Sequence, residues 1–161
     1  MLLRLAAESD LPAINDIYNH YVLNSTTTYQ EVVDTLDDRR VWFGNREPRH
    51  VVTVAELDGR VVGWASLNVF RARSAYRYSC ENSVYVDHRF FRRGIGGRLL
   101  ADSIERARAN HFRTIVAGID ADQAGSIALH AKHGFATVGR FSDVGFKFDR
   151  WLDVVFMQHH L

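Results

Sequence analysis

The sequence predicts an α/β fold: a mixed central sheet flanked by helices, with an antiparallel front half and a β-α-β back half. Two runs of β-branched residues, 51–55 and 61–65, flank the pair Asp58-Gly59, which is a strong hairpin signal. Farther along, β-type runs alternate with helical patterns, as in strands joined by helices. The 161 residues contain no repeat, low-complexity stretch or linker, so one domain spanning 1–161 is expected.

The elements of the front half follow from turn signals and hydrophobic spacing. A short strand is predicted at 2–6, and Ser9 is the predicted cap of a helix that runs to about residue 23. A polar break at 24–28 separates this helix from a second one at 34–45. The hairpin follows, and a polar loop at 71–78 leads to a strand that ends at Val86.

The elements of the back half begin after a glycine-rich loop. Apolar residues at helical spacing predict a helix at 95–110, and the apolar run 114–119 suits a strand inside a sheet. A further helix at 124–133 is expected to end at Gly134 as its C-cap. Two final strands are predicted at 135–141 and 151–158.

Composition excludes several classes of function. A net charge of +1 argues against a nucleic-acid binder, because a phosphate backbone requires a strongly basic face. The single cysteine, Cys80, excludes an intramolecular disulfide and a thiolate zinc site, and no metal is expected. No apolar stretch approaches the roughly 20 residues that span a bilayer, and the N-terminus lacks a signal-peptide pattern. We therefore expect a cytoplasmic protein without membrane association.

The most informative segment is 81–100, where a β-type run, a glycine loop and a helical pattern follow one another. Loop glycines let backbone N–H groups approach a phosphate closely, and the positive end of the next helix favours the charge. The third glycine of a dinucleotide fingerprint would fall on Leu99, and the Gly-Lys-Ser/Thr of a P-loop is absent. The segment therefore predicts a pyrophosphate site, with a plain glycine turn before a helix as the alternative.

This loop resembles the coenzyme A loop of the GNAT superfamily of acetyltransferases, which has the form Arg/Gln-x-x-Gly-x-Gly/Ala between a strand and a helix. Gly94 and Gly96 take the two glycine positions, whereas Phe91 stands at the Arg/Gln position. The order of elements is also similar to that of the superfamily over nearly the whole chain. The strings ENSVYV at 81–86 and GFKFDRWLDV at 145–154 resemble the phosphinothricin and methionine sulfoximine N-acetyltransferases.

The resemblance implies an N-acetyltransferase with acetyl-CoA as co-substrate and a small amino-acid-like amine as acceptor. The residues that it implies for binding acetyl-CoA are Val84, Tyr85, Val86, Arg92, Arg93, Gly94, Ile95, Gly96, Gly97, Gln123 and Ser126. Direct attack by the amine is expected, because Cys80 has no paired base that would make it a nucleophile. Two alternatives stay open: acetylation of another amine (a polyamine, an antibiotic or a protein N-terminus), and a non-catalytic acyl-CoA sensor.

Acetyl transfer to an amine benefits from a base for the protonated amine and an acid for the departing thiolate. Glu81 is the candidate base, because strands disfavour glutamate and this one leads into the glycine loop. The alternative is an exposed glutamate at a strand edge. His130 takes the position of a superfamily tyrosine that often protonates the thiolate, and an imidazole can donate a proton near neutral pH. The alternative is a histidine that packs between helix and sheet.

Arg71 and Arg73 are candidates for binding a substrate carboxylate, because a guanidinium matches a carboxylate with two parallel hydrogen bonds. Arg71 is the stronger candidate, since the resembled family carries an arginine there. Asn82 and Ser83 are weaker candidates for polar contacts with the substrate, and Tyr29 for lining its pocket.

The C-terminal string 145–157 combines many aromatic and aliphatic residues with few charges. This is more apolar surface than one face of a small sheet easily covers. The resembled enzymes are dimers with this region at the subunit interface. A homodimer is therefore expected, in which the loop carrying Lys147 and Phe148 approaches the partner's active site.

Overall fold

The computed structural model describes residues 1–161, in which seven strands form one mixed sheet with four α-helices packed on it. The strands are β1 (Leu2–Leu5), β2 (Val52–Leu57), β3 (Arg60–Val69), β4 (Ser79–Val86), β5 (Thr114–Asp120), β6 (Ala136–Lys147) and β7 (Arg150–His160). The helices are α1 (Leu11–Asn24), α2 (Leu36–Gly44), α3 (Ile95–Ala109) and α4 (Ala124–Lys132). No helix is long and apolar enough to cross a membrane.

The sheet has the strand order β1-β2-β3-β4-β5-β7-β6. The first four strands are antiparallel neighbours, as predicted for the front half. Strands β4 and β5 are parallel and are joined by α3, which makes them the predicted β-α-β unit. Strand β7 then enters between β5 and β6 and is antiparallel to both.

The two faces of the sheet are covered by different helices. On one face Leu100 and Ile104 of α3 pack with Ile115 of β5 in a continuous apolar cluster. On the other face Ile14 and Ile17 of α1 pack against the β3–β4 surface. Each fully buried aliphatic side chain contributes about 1.5–3 kcal/mol, so both layers stabilise the sheet that carries the site.

The first two helices begin later than the sequence predicted. Helix α1 starts at Leu11 after a 3₁₀ turn over Glu8–Asp10, and the Asp10 carboxylate, instead of Ser9, accepts a hydrogen bond from the Ala7 N–H at 2.8 Å. Helix α2 starts at Leu36, where Thr35 and Asp38 form a reciprocal capping box.

The C-terminal hairpin is longer than predicted, and the Lys147 side chain at the end of its first strand is buried. Strands β6 and β7 run to a two-residue turn at Phe148 and Asp149, which both have positive φ, as a type I′ turn requires. Lys147 therefore belongs to β6 and is only 2% exposed. Its ammonium donates to the carbonyl oxygens of Ser25 and Thr28, both at 2.7 Å. These two bonds hold the Lys147 side chain inside its own chain, so Phe148 is the exposed residue of the loop that is predicted to approach a partner's active site.

Candidate active site

A cleft opens where two strands of the sheet separate. Strands β4 and β5 pair only from Ser79 to Glu81 and from Thr114 to Val116. Beyond this point β4 and β5 diverge, and the cleft between them is closed at the back by α4. It is lined by Thr27, Asn82, Ser83, Val84, Tyr85, Ala117, Gly118, Ile119, Asp120, Gln123, Ser126 and His130.

The exposed edge of β4 offers backbone hydrogen-bonding groups to this cleft. The Asp87 N–H donates to the Val62 carbonyl oxygen, and alternate residues of an antiparallel strand face the same neighbour. The backbone groups of Asn82, Val84 and Val86 therefore point away from β3. The Val86 carbonyl oxygen already accepts a hydrogen bond from the Tyr21 hydroxyl, so Val84 is the residue whose groups face the cleft without a partner. A chain with amide groups of its own can continue the sheet here, as an extended peptide does at a strand edge.

The glycine loop next to the cleft has the geometry of an anion site. Gly94 is the N-cap of α3 with φ +74°, and no side chain caps the helix. No atom lies within 4 Å of the position that a Gly94 Cβ would take, so the first N–H groups of α3 are open to a ligand. Arg92 and Arg93 are exposed beside it and neither forms an ion pair.

Two of the predicted cofactor residues, Ile95 and Tyr85, can contribute only through their backbone, and Phe91 departs from the resembled loop. The Ile95 side chain is buried in the core, so only its backbone N–H remains for a ligand. The Tyr85 side chain packs on the α1 face, where its ring stacks on Trp64 at 4.7 Å, so its contribution to the cleft is its backbone. Phe91 is 53% exposed and places no cation where the resembled loop has Arg or Gln.

Glu81 lies beside Gly118, a residue that lines the cleft. It belongs to β4, which runs between β3 and β5, so the alternative of an exposed edge glutamate is wrong. Its Oε1 is 3.5 Å from the position that a Cβ on Gly118 would take. Burial raises the pKa of Glu81, and the charge of Arg71 opposes that rise. A carboxylate with a raised pKa takes up a proton closer to neutral pH than an ordinary glutamate does.

A second cavity, of about 370 Å³, is largely apolar and has Arg71 at its rim. Phe156 connects it to Glu81, because its ring lines the cavity and also lies 3.4 Å from the same Gly118 Cβ position. The other apolar lining residues are Phe70, Tyr76, Val116, Val138 and Phe141. Arg73 is exposed and lines neither space. The structure therefore brings Arg71, but not Arg73, to the side of Glu81.

Tyr29 holds a loop at the end of the cleft. Its hydroxyl donates to the Asp120 carboxylate at 2.8 Å and lies 3.0 Å from the Asp153 carbonyl oxygen. Burial, followed by the hydrogen bond to Asp120, raises the Tyr29 pKa. A Cβ on Gly145 would lie 2.5 Å from the Tyr29 ring, so only glycine fits there. Tyr29 thus acts as a tether for the α1–α2 loop rather than as a free polar group.

The α1–α2 loop, residues 25–35, is fixed by further contacts that the sequence did not reveal. Lys147 binds two of its carbonyl oxygens, and the Gln123 amide donates to the Thr26 hydroxyl at 3.3 Å. Gln123 is also the N-cap residue of α4. The one feature of the sequence that points to this role of Lys147 is its position as a lysine in an otherwise aromatic strand.

His130 and Asn82 form a buried pair on the α4 side of the cleft. The His130 Nδ1 lies 2.8 Å from the Ser126 carbonyl oxygen, which requires a proton on Nδ1. The Nε2 therefore accepts from the Asn82 amide N–H at 3.2 Å. Burial lowers the pKa of His130, which favours this neutral form. The prediction that His130 donates a proton to the thiolate does not fit this geometry, because neither ring nitrogen has a free N–H.

Burial disfavours covalent chemistry at Cys80. Cys80 is fully buried, and burial raises the pKa of its thiol to about 12, so a nucleophilic thiolate is disfavoured. No three His, Cys, Asp or Glu side chains are grouped so that they could hold a metal ion.

Comparison with known proteins gives consistent matches over the whole chain. The family model described as "Acetyltransferase (GNAT) domain" matches residues 3–156. The L-methionine sulfoximine/L-methionine sulfone acetyltransferase of Salmonella typhimurium is 38% identical over 162 residues, covering 100% of this chain and 95% of that enzyme.

Two solved structures show the same fold. The ribosomal-protein-alanine N-acetyltransferase from Brucella melitensis is 45% identical with a TM-score of 0.98, and the match covers 100% of both chains. A GNAT superfamily phosphinothricin acetyltransferase from Sinorhizobium meliloti, in complex with AcCoA, is 37% identical with a TM-score of 0.96, covering 99% of this chain and 88% of that chain.

Proposed function

The chain belongs to the GNAT acetyltransferase family, and from this premise we propose that it acetylates the amine of a small amino-acid-like molecule. It is an N-acetyltransferase, and acetyl-CoA is its acetyl donor. Because the chain is an N-acetyltransferase with an acetyl donor, the alternative of a non-catalytic acyl-CoA sensor is set aside. The observation that carries the proposal is Glu81, a half-buried carboxylate beside the β4–β5 cleft, near the cavity edged by Arg71.

The residues of the glycine loop and of the β4 edge fit acetyl-CoA as the acetyl donor. We assign the pyrophosphate to the backbone N–H groups at the start of α3, with Arg92 and Arg93 adding positive charge. The edge of β4 at Val84 suits the amide-bearing arm, because its backbone groups lack a strand partner there. When bound, acetyl-CoA supplies the activated thioester carbonyl that an amine can attack.

We assign Glu81 as the general base and Arg71 as the carboxylate-binding residue. An ammonium next to Glu81 transfers a proton to its carboxylate and becomes the nucleophile. Arg71 orients the acceptor through its carboxylate, and the apolar cavity holds the acceptor's side chain. In the transfer the new C–N bond forms as the C–S bond breaks. The acetylated nitrogen then releases its second proton to solvent, and the thiolate takes a proton from solvent, since His130 has none to give.

A thiol-release assay with acetyl-CoA and a panel of amines tests the proposal. Methionine sulfone, methionine sulfoximine and phosphinothricin represent amino-acid-like acceptors, and spermidine represents amines without a carboxylate. We expect turnover with the first group only. Arg71→Ala should lower kcat/KM for these acceptors about 10²-fold through KM, while the neighbouring Arg73→Ala should change it less than twofold. An unchanged kcat/KM in Arg71→Ala would remove the basis of the assignment.

A protein N-terminus is the second candidate acceptor, because the Brucella melitensis relative is named a ribosomal-protein-alanine N-acetyltransferase. The first residue of a protein has an α-amine but no free α-carboxylate. Acetylation of such a peptide should therefore be insensitive to Arg71→Ala. Faster turnover of an Ala-initiated peptide than of any free amino acid would favour this candidate.

We also propose a homodimer formed through the β6–β7 hairpin. Near its tip the hairpin exposes the aromatic side chains of Phe146, Phe148 and Trp151, at 49%, 52% and 63% exposure. Such a cluster on a small domain is typical of an interaction surface. Phe148, at the tip of the hairpin, replaces the buried Lys147 as the residue proposed to reach the partner. A cytoplasmic location stays a prediction from the sequence.

A further inference from the structure

Asn82 carries a buried oxygen without a partner inside the cleft. Asn82 is 6% exposed, and its Oδ1 forms no hydrogen bond. The other end of the same amide is bound to His130. A buried polar atom is nearly always hydrogen-bonded in a folded protein, so an orphan that lines a cleft indicates a missing ligand group.

His130 determines which end of the Asn82 amide faces away from it. Because the His130 Nδ1 proton is held by the Ser126 carbonyl oxygen, its Nε2 is an acceptor. Rotating the amide by half a turn would set Oδ1 against the Nε2 lone pair, which is repulsive. The ring of Phe135 packs edge-on against the imidazole at 5.0 Å and restrains it further. The oxygen is therefore fixed at the end of the amide that faces away from His130.

The ligand group must be a hydrogen-bond donor on the α4 side of β4. Side chains alternate across a strand, so Asn82 faces α4 whereas Glu81, the proposed site of the acceptor amine, faces the opposite side. A phosphate or a carboxylate has no hydrogen to donate. The amide N–H groups of an acyl-pantetheine arm are neutral donors that suit a buried amide oxygen.

We propose that Asn82 Oδ1 accepts a hydrogen bond from an amide N–H of the donor's pantetheine arm, and that His130 is the positioning residue that orients it. This inference rests on the proposed function, because it requires a donor with an amide-bearing arm. It also gives His130 a task other than proton donation.

Calorimetric binding to Asn82→Ala tests the contact without turnover. We expect coenzyme A to bind about 10-fold more weakly, as for one lost hydrogen bond in a buried site. Adenosine 3′,5′-bisphosphate, which lacks the arm, is the control ligand and should bind as it does to the unmodified protein. Unchanged coenzyme A affinity, or equal weakening of both ligands, would overturn the proposal.

His130→Phe separates positioning from proton donation. The aromatic ring keeps the contact with Phe135 but removes the acceptor that orients Asn82. We expect coenzyme A to bind about threefold more weakly, with the bisphosphate unaffected and kcat lowered by less than threefold. A 10²-fold loss of kcat with intact coenzyme A affinity would instead identify His130 as the proton donor.

Nitrogen-15 NMR of the unmodified protein gives a test that needs no variant. At neutral pH the His130 ring should carry its proton on Nδ1 and a lone pair on Nε2. The opposite tautomer would refute the orientation of Asn82 even if both variants fail to fold. An amine panel without turnover would refute the proposed function, but the coenzyme A affinities would still decide this inference.

Discussion

At the scale of single residues, burial assigns different properties to Glu81, Cys80 and His130. It raises the pKa of Glu81, which favours a base that works near neutral pH. It raises the pKa of the Cys80 thiol to about 12, which removes a competing nucleophile and supports direct attack by the amine. It lowers the pKa of His130, which keeps that ring neutral beside Asn82. The same physical effect therefore separates the proposed base, an inert thiol and the proposed positioning residue.

Glu81→Gln should lower kcat by roughly 10²-fold, the loss expected when a general base is removed. The loss should be larger at low pH, where the acceptor amine is protonated and needs the base, than at high pH, where it is already free. Rate profiles of both proteins from pH 6 to 10 measure this difference. A loss of equal size at every pH would show that Glu81 positions the amine without taking its proton.

The same substitution should stabilise the protein near neutral pH. A raised folded-state pKa means that folding disfavours the ionised form of Glu81. The resulting loss in the free energy of unfolding is absent below the ordinary glutamate pKa and grows as the pH rises through that pKa. Glutamine has no charge to bury. Urea unfolding should therefore give Glu81→Gln a higher free energy of unfolding at pH 7 and a smaller advantage at pH 4. If the stability advantage of Glu81→Gln grew toward pH 4, this would contradict a raised pKa of Glu81.

At the scale of elements, the end of β6 controls the α1–α2 loop. The buried Lys147 joins Ser25 and Thr28 to the C-terminal hairpin, and Tyr29 ties the same loop to Asp120 at the end of β5. Because Thr27 of this loop lines the cleft, the hairpin fixes one wall of the donor site. A residue of β6 thus supports the site from outside it.

Lys147→Met should lower both stability and substrate binding. The methionine fills a similar volume but leaves two buried carbonyl oxygens without donors, which costs about 1–3 kcal/mol for each oxygen. We expect a lower Tm and a higher KM for acetyl-CoA, with a smaller change in kcat. The control is Lys132→Met on the exposed surface of α4, which should leave Tm and KM unchanged. If the two variants behaved alike, the loop would not depend on Lys147.

At the scale of the whole molecule, one edge of the sheet has more apolar surface than the chain covers. Phe146 and Trp151 lie edge to face at 5.1 Å on paired strands and remain about half exposed or more. A partner with the same patch, related by a two-fold axis, would bury both copies at once.

Trp151→Glu should therefore shift the protein toward monomer. A charge at the centre of a desolvated apolar interface is strongly unfavourable, so sedimentation at micromolar concentration should show half the mass of the unmodified protein. Leu2→Glu is the control, since Leu2 is 56% exposed on β1, at the opposite edge of the sheet from β6. A monomeric unmodified protein with full activity would overturn the dimer.

Local signals in the sequence determined the type of most elements. The Asp58-Gly59 pair specified the first hairpin, and both residues have the positive φ that such a turn needs. Gly94 and Gly134 likewise occupy positive-φ positions at the helix boundaries where they were expected. These predictions succeeded because turn chemistry and hydrophobic spacing act over a few residues. The same local signals also made the glycine loop and Glu81 the candidate site residues, which stays a prediction.

Only the tertiary structure decided what these residues can do. Asn82 and His130 are 48 positions apart, and their contact favours the tautomer in which neither ring nitrogen of His130 has a free N–H. Lys147 meets a loop more than 100 positions earlier, and this contact makes it an internal tether of that loop. The sequence by itself determined the fold class, the family and the kind of chemistry. Burial and proton positions depend on contacts between distant segments, and these exist only once the chain has folded.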